Sequence, residues 1–423
     1  MTTDVKFVVG LNYGDEGKGA MSNYYTRIAK QNGKSVLNVL YNGGAQRGHT
    51  AQGHVFHCFG AGALRGADTY YTRNFMLNPI AWWFEFKELD QKPMLYVNQN
   101  CRITTPYDVR INQLLEESRG NKRHGSCGLG IFETRKRCEE TKGIYASDLK
   151  DSENLYKKLK LIKDIWVPAR CKELGIEYTN DNSYELDNFI TCVEQMLKSG
   201  KVKVVIDDDI MLKYDTVIFE GGQGIMLSES NKKDFPHLTP SITEFKGAQI
   251  ELEFLYHHTD AQFEFCMMTR PYLTRHGAGP LPNECKKEVL SDKIVDETNM
   301  PNEWQGNLRF APFDDNTKYR LRYSASDQFF SLSLGMDHHF YDRVFWSIGI
   351  TCLDQTDGNI VIANFNNPFD IPHKGYIKLD NRVPYNLAYI KYNEVFSQSF
   401  LKLYGFFGKD TLPVIHMPTK PRF

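Results

Sequence analysis

Residues 5–19 read VKFVVGLNYGDEGKG. The apolar run at the start of this stretch predicts a short buried strand from Val5 to Leu11. Residues 20–32 follow with apolar side chains at helical spacing, and Gly33 is a helix-stop signal. A second strand is predicted from Ser35 to Tyr41. This order of strand, glycine loop, helix and strand indicates a βαβ unit in a largely parallel sheet.

Farther along the chain the same alternation continues. The pattern predicts further strands at Asp215–Glu220, Phe263–Thr269, Val344–Cys352 and Leu412–His416, and helices at Pro79–Leu89, Leu186–Lys198 and Ala388–Tyr404. The fold class we expect is α/β, with a large, mostly parallel central sheet and helices on both faces. A single domain over residues 1–423 is predicted, with irregular excursions near 100–215 and 285–320. In such sheets ligands bind beyond the carboxyl ends of the strands.

The composition excludes several classes of protein. Lys and Arg number 51 against 52 Asp and Glu, so no net field attracts nucleic acid or an anionic membrane. The nine cysteines have no CxxC spacing, which argues against a disulfide framework or a structural zinc site and favours a reducing compartment. We see no signal peptide and no apolar run long enough for a membrane span. A cytoplasmic protein is therefore expected.

The first glycine loop, GDEGKG at 14–19, combines features of a phosphate site and a catalytic site. Its glycines let backbone N–H groups approach phosphate oxygens, and Lys18 adds a cation. It is not the usual P-loop, because Asn12 stands where the first glycine would be and Gly19 replaces the Ser or Thr. Asp15 would repel a phosphate, so its presence suggests that it binds Mg²⁺ or removes a proton. The alternative is a surface turn with a charged tip.

The second glycine loop, NGGAQRGHT at 42–50, ends the second predicted strand. We expect it to lie beside the first loop, because two adjacent parallel strands would deliver both. An imidazole at His49 could then donate a proton to a leaving phosphate oxygen. The alternative is a structural histidine. Three weaker loops, at 219–224, 274–280 and 352–354, also follow predicted strands, and each taken alone is more typical of a turn.

Taken together, these loops resemble the adenylosuccinate synthetase family, whose motifs are GDEGKGK, GGxNAGHT, GTTGRGIGP, FEGAQG, YPYVTSSN, TRVGAGPFPTE, TTGRxRRxGWxD and KLD. The chain has the following matches in the same order: GDEGKGA (14–20), GGAQRGHT (43–50), GSCGLGIF (125–132), FEGGQG (219–224), FPHLTPSIT (235–243), TRHGAGPLPNE (274–284), WQGNLRFAPFD (304–314) and CLD (352–354). Eight ordered matches over nearly the whole chain are a specific signal.

The resemblance implies a two-step ligase reaction. Asp15 would take the N1 proton of IMP so that O6 attacks the γ-phosphate of GTP, and His49 would act as general acid on the leaving diphosphate. The amino group of L-aspartate would then displace the 6-phosphoryl group. Lys18 would contact phosphate, and Gln223 would stabilise the O6 side of the purine.

The resemblance also assigns binding positions. Donor-nucleotide contacts fall on Gly14, Glu16, Gly17, Gly19, Gly48, Thr50, Cys352 and Asp354. Acceptor and amino-acid contacts fall on Gln46, Ser126, Cys127, Arg137, Thr239, Gly277 and Arg309. Asp15 and the Gly48 carbonyl would contact Mg²⁺. A homodimer is implied, in which Arg135 or Arg137 reaches the partner's nucleotide.

Several motif positions depart from the family pattern. The family's NAGH reads Gln46-Arg47-Gly48-His49, and a phosphate-site threonine is Cys127. Changes across residues 304–307 leave Arg309 as the clear partner for an amino-acid carboxylate. On the donor side the lysine of KLD is Cys352, and the C-terminal STGPxR segment has become residues 417–420, so ATP is an alternative to GTP.

Three other functions are alternatives: a dGMP-using ligase, a nucleotide sensor and a GTPase switch. Related phage enzymes use dGMP, and in that branch the catalytic aspartate gives way to a small residue; because Asp15 is kept, IMP is favoured. A divergent, viral member acting in the host cytoplasm fits the departures. A non-catalytic nucleotide sensor predicts loss of Asp15 or His49, and a GTPase switch needs a Ser or Thr after Lys18.

Overall fold

The chain was studied as a computed structural model, which describes residues 3–140, 142–179, 185–296, 304–317, 320, 338–364, 376–378, 386–391, 402–408 and 411–416. The strands are β1 Asp4–Gly10, β2 Val36–Leu40, β3 His49–Ala51, β4 His54–Phe56, β5 Asp68–Tyr71, β6 Met76–Leu77, β7 Leu95–Asn98, β8 Arg102–Ile103, β9 Val202–Val205, β10 Thr216–Gly224, β11 Gln262–Thr269, β12 Leu273–Arg275, β13 Arg309–Ala311, β14 Val344–Ile350, β15 Asn359–Asn364, β16 Tyr376–Lys378, β17 Asn386–Lys391, β18 Lys402–Gly405 and β19 Val414–His416. The α-helices are α1 Lys18–Gln31, α2 Pro79–Glu88, α3 Pro106–Ser118, α4 Ile131–Glu139, α5 Ser152–Leu161, α6 Val167–Leu174, α7 Glu185–Lys198, α8 Gln249–His258 and α9 Lys287–Leu290.

A ten-stranded sheet forms the centre of the molecule, in the order β19-β18-β14-β11-β1-β10-β2-β5-β7-β9. Every neighbouring pair in it is parallel except β18 and β19. The predicted fold class, a large and mostly parallel α/β sheet, is confirmed. Because parallel strands all end at one edge, the loops that follow them gather there.

Both faces of the sheet are covered, which explains why β1 reads as a continuous apolar run. The ring of Phe7 stacks between Phe219 and Phe265, with centroid distances of 4.1 and 4.9 Å, on the face that α8 covers. Val8 points to the opposite face, where it packs with Met21 of α1. The alternation of side chains along β1 therefore sets which helix each residue meets.

The order of the strands corrects one prediction. β1 and β2 are not neighbours, because β10 lies between them and pairs in parallel with both. The FEGGQG segment, predicted as a loop, is the second half of β10 and lies between the two N-terminal glycine loops. A pairing between segments so far apart in the chain has no local sequence signal.

Two further predictions differ from the structure. The helix expected at 388–404 is wrong: β17 begins at Asn386 and pairs antiparallel with β15 and β16, and β18 then joins the central sheet. The stretch 100–215, expected to be irregular, contains α3 to α7. In both places tertiary pairing and packing outweighed the short-range apolar pattern. Among the described residues, none of the helices has the length and apolar character needed to cross a bilayer.

Candidate active site

A cavity of about 550 Å³ opens beyond the carboxyl ends of β1, β10 and β11. Predicted site residues that line it are Gly14, Asp15, Glu16, Gly17, Lys18, Gly19, Gln46, Gly48, His49, Thr50, Ser126, Cys127, Gln223, Thr239 and Gly277. The volume suits a nucleotide-sized ligand. The fold therefore brings together loops that are separated by up to about 260 positions in the sequence.

The first glycine loop is held in shape from within. The buried carboxylate of Glu16 accepts the backbone N–H groups of Asn12, at 2.6 Å, and Gly14, at 3.3 Å. Gly17 has φ of 78°, and a side chain there would collide with Thr351 at the end of β14. Only glycine satisfies both conditions. The carboxylate of Glu16 therefore braces the loop. Glu16 also lines the cavity, and its role as a nucleotide contact stays a prediction.

Lys18 opens α1 at the floor of the cavity, with 3% of its surface exposed. Burial lowers the pKa of this ammonium, and Glu16 and Asp15 act in the opposite direction. The same burial raises the pKa of Glu16 to about 7, against the effect of Lys18. A phosphate bound beside Lys18 would favour its charged form, because an anion replaces the lost hydration.

Asp15 stands at the cavity wall in a left-handed backbone conformation, with φ of 55°. Its carboxylate Oδ2 lies 3.3 Å from Nε2 of His276, and its backbone carbonyl accepts a hydrogen bond from Arg270. Arg270 directly follows β11, and His276 directly follows β12. The segment beyond β11, the strand that neighbours β1, thus fixes the direction in which Asp15 faces.

The second glycine loop meets the first although their strands are not adjacent. A Cβ on Gly19 would approach the Cβ of His49 to 3.0 Å. The imidazole of His49 is buried, and its Nδ1 contacts the carboxylate of Glu220 on β10. The same oxygen of Glu220 accepts from Arg47, while its other oxygen accepts the Ala61 N–H at 3.0 Å. β10 therefore supplies the anchor for His49.

The charges of this cluster set the state of the imidazole. Burial would raise the pKa of Glu220, but Arg47 and His49 outweigh it and lower the pKa to about 2. Burial and the Arg47 cation lower the pKa of His49 to about 3. His49 is then neutral at pH 7. Nδ1 contacts both Oε1 of Glu220 and, at 2.6 Å, Nη2 of Arg47, and the carboxylate, which can only accept, favours a proton on Nδ1. The Nε2 of His49 is buried and has no hydrogen-bond partner among the described residues.

The amide of Gln46 is a second polar group left open to a ligand. Its Nε2 and Oε1 are buried, line the cavity wall and find no partner within the described part of the chain. A buried amide without partners costs free energy, so a ligand that offers a donor and an acceptor would be favoured there.

Another wall carries small polar side chains. The Oγ of Ser126 accepts from Asn112 at 2.9 Å, and Thr239 lies in the segment after β10. Burial raises the pKa of the Cys127 thiol to about 11, so the thiol stays protonated at neutral pH. This wall offers hydroxyl and thiol groups rather than a thiolate nucleophile.

A model of the family described as adenylosuccinate synthetase matches residues 7–301. The chain belongs to the adenylosuccinate synthetase family. Adenylosuccinate synthetase of Histophilus somni (strain 2336) is 28% identical over 292 residues, which cover 67% of this chain and 65% of that protein. The Vibrio parahaemolyticus enzyme of the same name is 29% identical over 302 residues, 66% of this chain and 63% of the relative. The chain thus spans somewhat less than two thirds of the length of these curated relatives.

Solved structures of the family share the fold. A fully ligated adenylosuccinate synthetase from Plasmodium falciparum aligns with a TM-score of 0.69 and 17% identity, over 98% of this chain and 100% of that chain. The succinoaminodeoxyadenylate synthetase of cyanophage S-2L, bound to dGMP and to dATP as an energy donor, aligns with a TM-score of 0.58 and 15% identity, over 99% and 97%. At these identities the likeness concerns the fold alone.

Two predicted arginines are engaged inside the chain. Arg137 is fully buried and pairs with Asp108 at 2.8 Å, so it cannot reach a partner subunit or the cavity in this structure. Arg309 holds Glu284 through two hydrogen bonds, of 3.0 and 2.6 Å, and does not line the cavity. Burial therefore corrects the prediction for Arg137. Arg309 stays a predicted carboxylate partner, because its Nη1 donates to the carbonyls of Gly277 and Gly279, which line the cavity.

Arg135, the other arginine considered for the family's subunit contact, lies near the cavity rim. It donates to Glu139 at 2.6 Å, to Glu229 and to the carbonyl of Pro240, which lines the cavity, at 2.9 Å. Its side chain is 28% exposed.

The two donor-side positions lie away from the cavity wall. Cys352 lies two residues after β14 in a left-handed conformation, with φ of 58°, and Asp354 is exposed in the following turn. Residues 417–420, which carry the remaining departure from the family's donor-side motif, lie outside the described residues.

Sequence reasoning missed several residues that shape the cavity. Tyr13, His57, His237, Arg270 and Arg275 line it, and none had been assigned a role. Arg275 lies over the ring of Tyr13 at 4.5 Å and donates to the carbonyl of His237 at 2.8 Å. Departures within the family motifs were the available signal: His237 and His276 stand where YPYVTSSN and TRVGAGP have tyrosine and valine.

Proposed function

We propose that the protein is a purine-nucleotide ligase that joins L-aspartate to C6 of a 6-oxopurine nucleotide, converting IMP to adenylosuccinate with hydrolysis of GTP or ATP. The observation that carries the proposal is the meeting of Asp15 and His49 in one cavity. They come from different loops, and each is oriented by a partner on β10 or after β11. A nucleotide sensor would need neither arrangement.

The first step uses the carboxylate of Asp15. It would accept the proton of N1, and the electrons of that bond would shift so that O6 attacks the γ-phosphorus of the donor. The bond from the γ-phosphorus to the β–γ bridging oxygen breaks, and the nucleoside diphosphate leaves. Lys18 and the backbone N–H groups of the first loop would stabilise charge on the phosphates.

His49 would act where the diphosphate leaves. In the ligand-free protein it is neutral, with Nε2 as an acceptor, so a bound phosphate must first raise its pKa before it can donate a proton there. Glu220 on Nδ1 supports that change, because a carboxylate stabilises an imidazolium. Gln46 and Gln223 offer amide groups to the purine edge.

In the second step the amine nitrogen of L-aspartate attacks C6, and inorganic phosphate leaves with O6. The residue proposed from the sequence to hold the aspartate carboxylate, Arg309, is paired with Glu284. We propose Arg275 as a second candidate for this role. Its Nη1 and Nη2 donate to the carbonyls of Pro280 and His237, but it lines the cavity and its Nε has no hydrogen-bond partner within the described chain.

Mg²⁺ fits the donors that this cavity offers. Asp15 contributes a partly exposed carboxylate and Gly48 a backbone carbonyl, and Mg²⁺ is commonly held by one or two carboxylates together with phosphate oxygens and water. When bound, the ion would neutralise charge on the donor phosphates. A homodimer and a cytoplasmic location are part of the same proposal, and the nine free cysteines fit a reducing compartment.

A matrix of phosphate-release assays tests the function. It crosses IMP, dIMP, GMP and dGMP with GTP and ATP, with Mg²⁺ and L-aspartate each present or absent. We expect aspartate-dependent release with IMP. Release only with dGMP would move the protein to the aminopurine branch, and no release with any pair would favour a non-catalytic relative.

A further inference from the structure

Arg47 is buried beside the cavity without lining it. Only 1% of its surface is exposed, whereas its neighbours Gln46, Gly48 and His49 all line the cavity. Its side chain runs away from the ligand space into the protein. A role for Arg47 must therefore pass through the groups that it holds.

The guanidinium holds the carboxylate that anchors His49. Nη2 of Arg47 donates to Oε1 of Glu220, and Nη1 donates to the carbonyl of Phe59 at 3.2 Å. Its Nε is buried and has no hydrogen-bond partner among the described residues. Oε1 of Glu220 also faces Nδ1 of His49. Nη2 of Arg47 also lies 2.6 Å from Nδ1 of His49, so the three side chains meet at one point. Arginine has only donors and an ionised carboxylate only acceptors, so the carboxylate accepts from both neighbours when Nδ1 carries the proton.

The backbone of Arg47 holds a second cavity imidazole. Its carbonyl oxygen contacts Nδ1 of His57, which also lines the cavity. With Nδ1–H donated to that carbonyl, Nε2 of His57 keeps its lone pair. One residue thus connects two histidines of the site, one through its side chain and one through its main chain.

The family motif GGxNAGHT has alanine at this position and FEGAQG has the glutamate, so the motifs retain the anchor for His49 and lack the cation. We propose that Arg47 is a positioning residue of this active site, which locks Glu220 so that His49 is held with Nε2 toward the ligand. This inference rests on the proposed function only for its kinetic consequence. The geometry of the imidazole can be tested without any turnover.

The kinetic test compares Arg47→Ala and Arg47→Lys with the wild type. Arg47→Ala should lower kcat at least about tenfold while KM for both nucleotides stays within about twofold, because the lost interaction orients a group and does not touch substrate. Arg47→Lys keeps the positive charge but loses the planar guanidinium that can donate to two acceptors at once. Its kcat should therefore lie between those of Arg47→Ala and the wild type. Equal kcat in all three proteins would overturn the proposal.

Arg170→Ala is the matched control. Arg170 is also buried and pairs with Glu133 at 2.7 and 2.9 Å, but it lies on α6, outside the cavity. It should lower the midpoint of thermal unfolding without changing kcat per folded molecule. If Arg47→Ala behaves in the same way, Arg47 is a structural ion pair and the proposal fails.

A spectroscopic test separates this inference from the proposed function. In ¹⁵N-histidine-labelled protein without ligand, the His49 signal, assigned by its absence in His49→Gln, should report a proton on Nδ1. Arg47→Ala should mix the two tautomers, and an unchanged signal would overturn the inference whatever the activity. If Arg47→Ala does not fold, Arg47→Lys decides: a displaced signal supports the inference, and a wild-type signal together with wild-type kcat overturns it. Absence of phosphate release in the wild type would refute only the proposed function.

Discussion

The two N-terminal glycine loops are each held by a buried glutamate, yet the two carboxyl groups are in opposite electrostatic states. Glu16 and Glu220 are 2% and 1% exposed. Burial raises the pKa of Glu16 to about 7, whereas Arg47 and His49 overcome burial and lower the pKa of Glu220 to about 2. Glu16 braces its loop chiefly through backbone N–H groups; Glu220 braces its loop through a guanidinium and an imidazole.

The difference shows what a buried carboxylate needs in order to stay charged. Two backbone N–H groups and a lysine whose own charge is disfavoured do not compensate the lost hydration of Glu16. A guanidinium bound directly to Glu220 does. The first loop can therefore change its charge near neutral pH or when phosphate binds, while the second loop keeps a fixed charge pattern around His49.

The largest expected effect tests whether both loops are catalytic. Asp15→Ala and His49→Ala should each lower kcat by about 100-fold or more, the usual range for a lost acid or base. Steady-state phosphate release measures the change, and circular dichroism checks the fold. A variant that keeps more than about a tenth of wild-type kcat, a loss below roughly 1.4 kcal/mol, would remove that residue from the mechanism.

The second prediction compares the two braces directly. Glu220→Gln leaves the buried Arg47 cation without its counter-charge and should lower the free energy of unfolding by about 3–5 kcal/mol. Glu16→Gln should be as stable as the wild type at pH 7 or more stable, because the amide resembles the protonated carboxyl group and does not ionise. Urea unfolding of both variants at pH 7 makes the measurement. Equal losses would mean that the two glutamates do not differ in charge.

The third prediction concerns the contact that closes the first loop. Gly17→Ala should lower the free energy of unfolding by about 2–4 kcal/mol, since the new Cβ adds a collision with Thr351 to the cost of a positive φ. Gly53→Ala is the matched control. Gly53 has φ of 75° and open space around it, so it should cost only about 1 kcal/mol. Similar losses in the two variants would show that Thr351 moves aside.

The smallest effect is a pH dependence of the first loop. The Glu16 carboxyl would ionise near 4.5 in the unfolded chain and near 7 in the folded one, so the folded state binds more protons between these values. Stability from this group therefore falls as pH rises from about 4.5 to about 7 and is constant above. Glu251, whose pKa burial also raises to about 7, contributes in the same direction.

The difference in the free energy of unfolding between wild type and Glu16→Gln isolates the contribution of Glu16. The deficit of Glu16→Gln relative to wild type should shrink by about 1–3 kcal/mol between pH 4.5 and pH 7, measured by urea unfolding at several pH values. Glu220 titrates below this window, because its pKa is about 2 and its stabilisation is lost only as pH falls below about 4.5. A deficit that stays constant with pH would show that Glu16 is ionised throughout.

The sequence by itself determined the βαβ start, the parallel class of the sheet and the loops that form the cavity. These features depend on local patterns: an apolar run, glycines at fixed spacing and a helix that follows. The order of the motifs along the chain also indicated the family, because the residue types in each motif determine which ligand groups that loop can bind. The strands at Val5–Leu11 and Ser35–Tyr41 could be predicted from their apolar residues alone, without knowing which strands they pair with.

Only the tertiary structure decided which strands lie side by side and which side chains pair. It placed β10 between β1 and β2, and it gave Arg47, Arg137 and Arg309 the carboxylates that hold them. Arg47 and Glu220 are 173 positions apart, so no local pattern could pair them. The charge state of a side chain, and whether a guanidinium group is already paired, depend on burial and on such distant partners. Burial and distant contacts arise only when the chain folds.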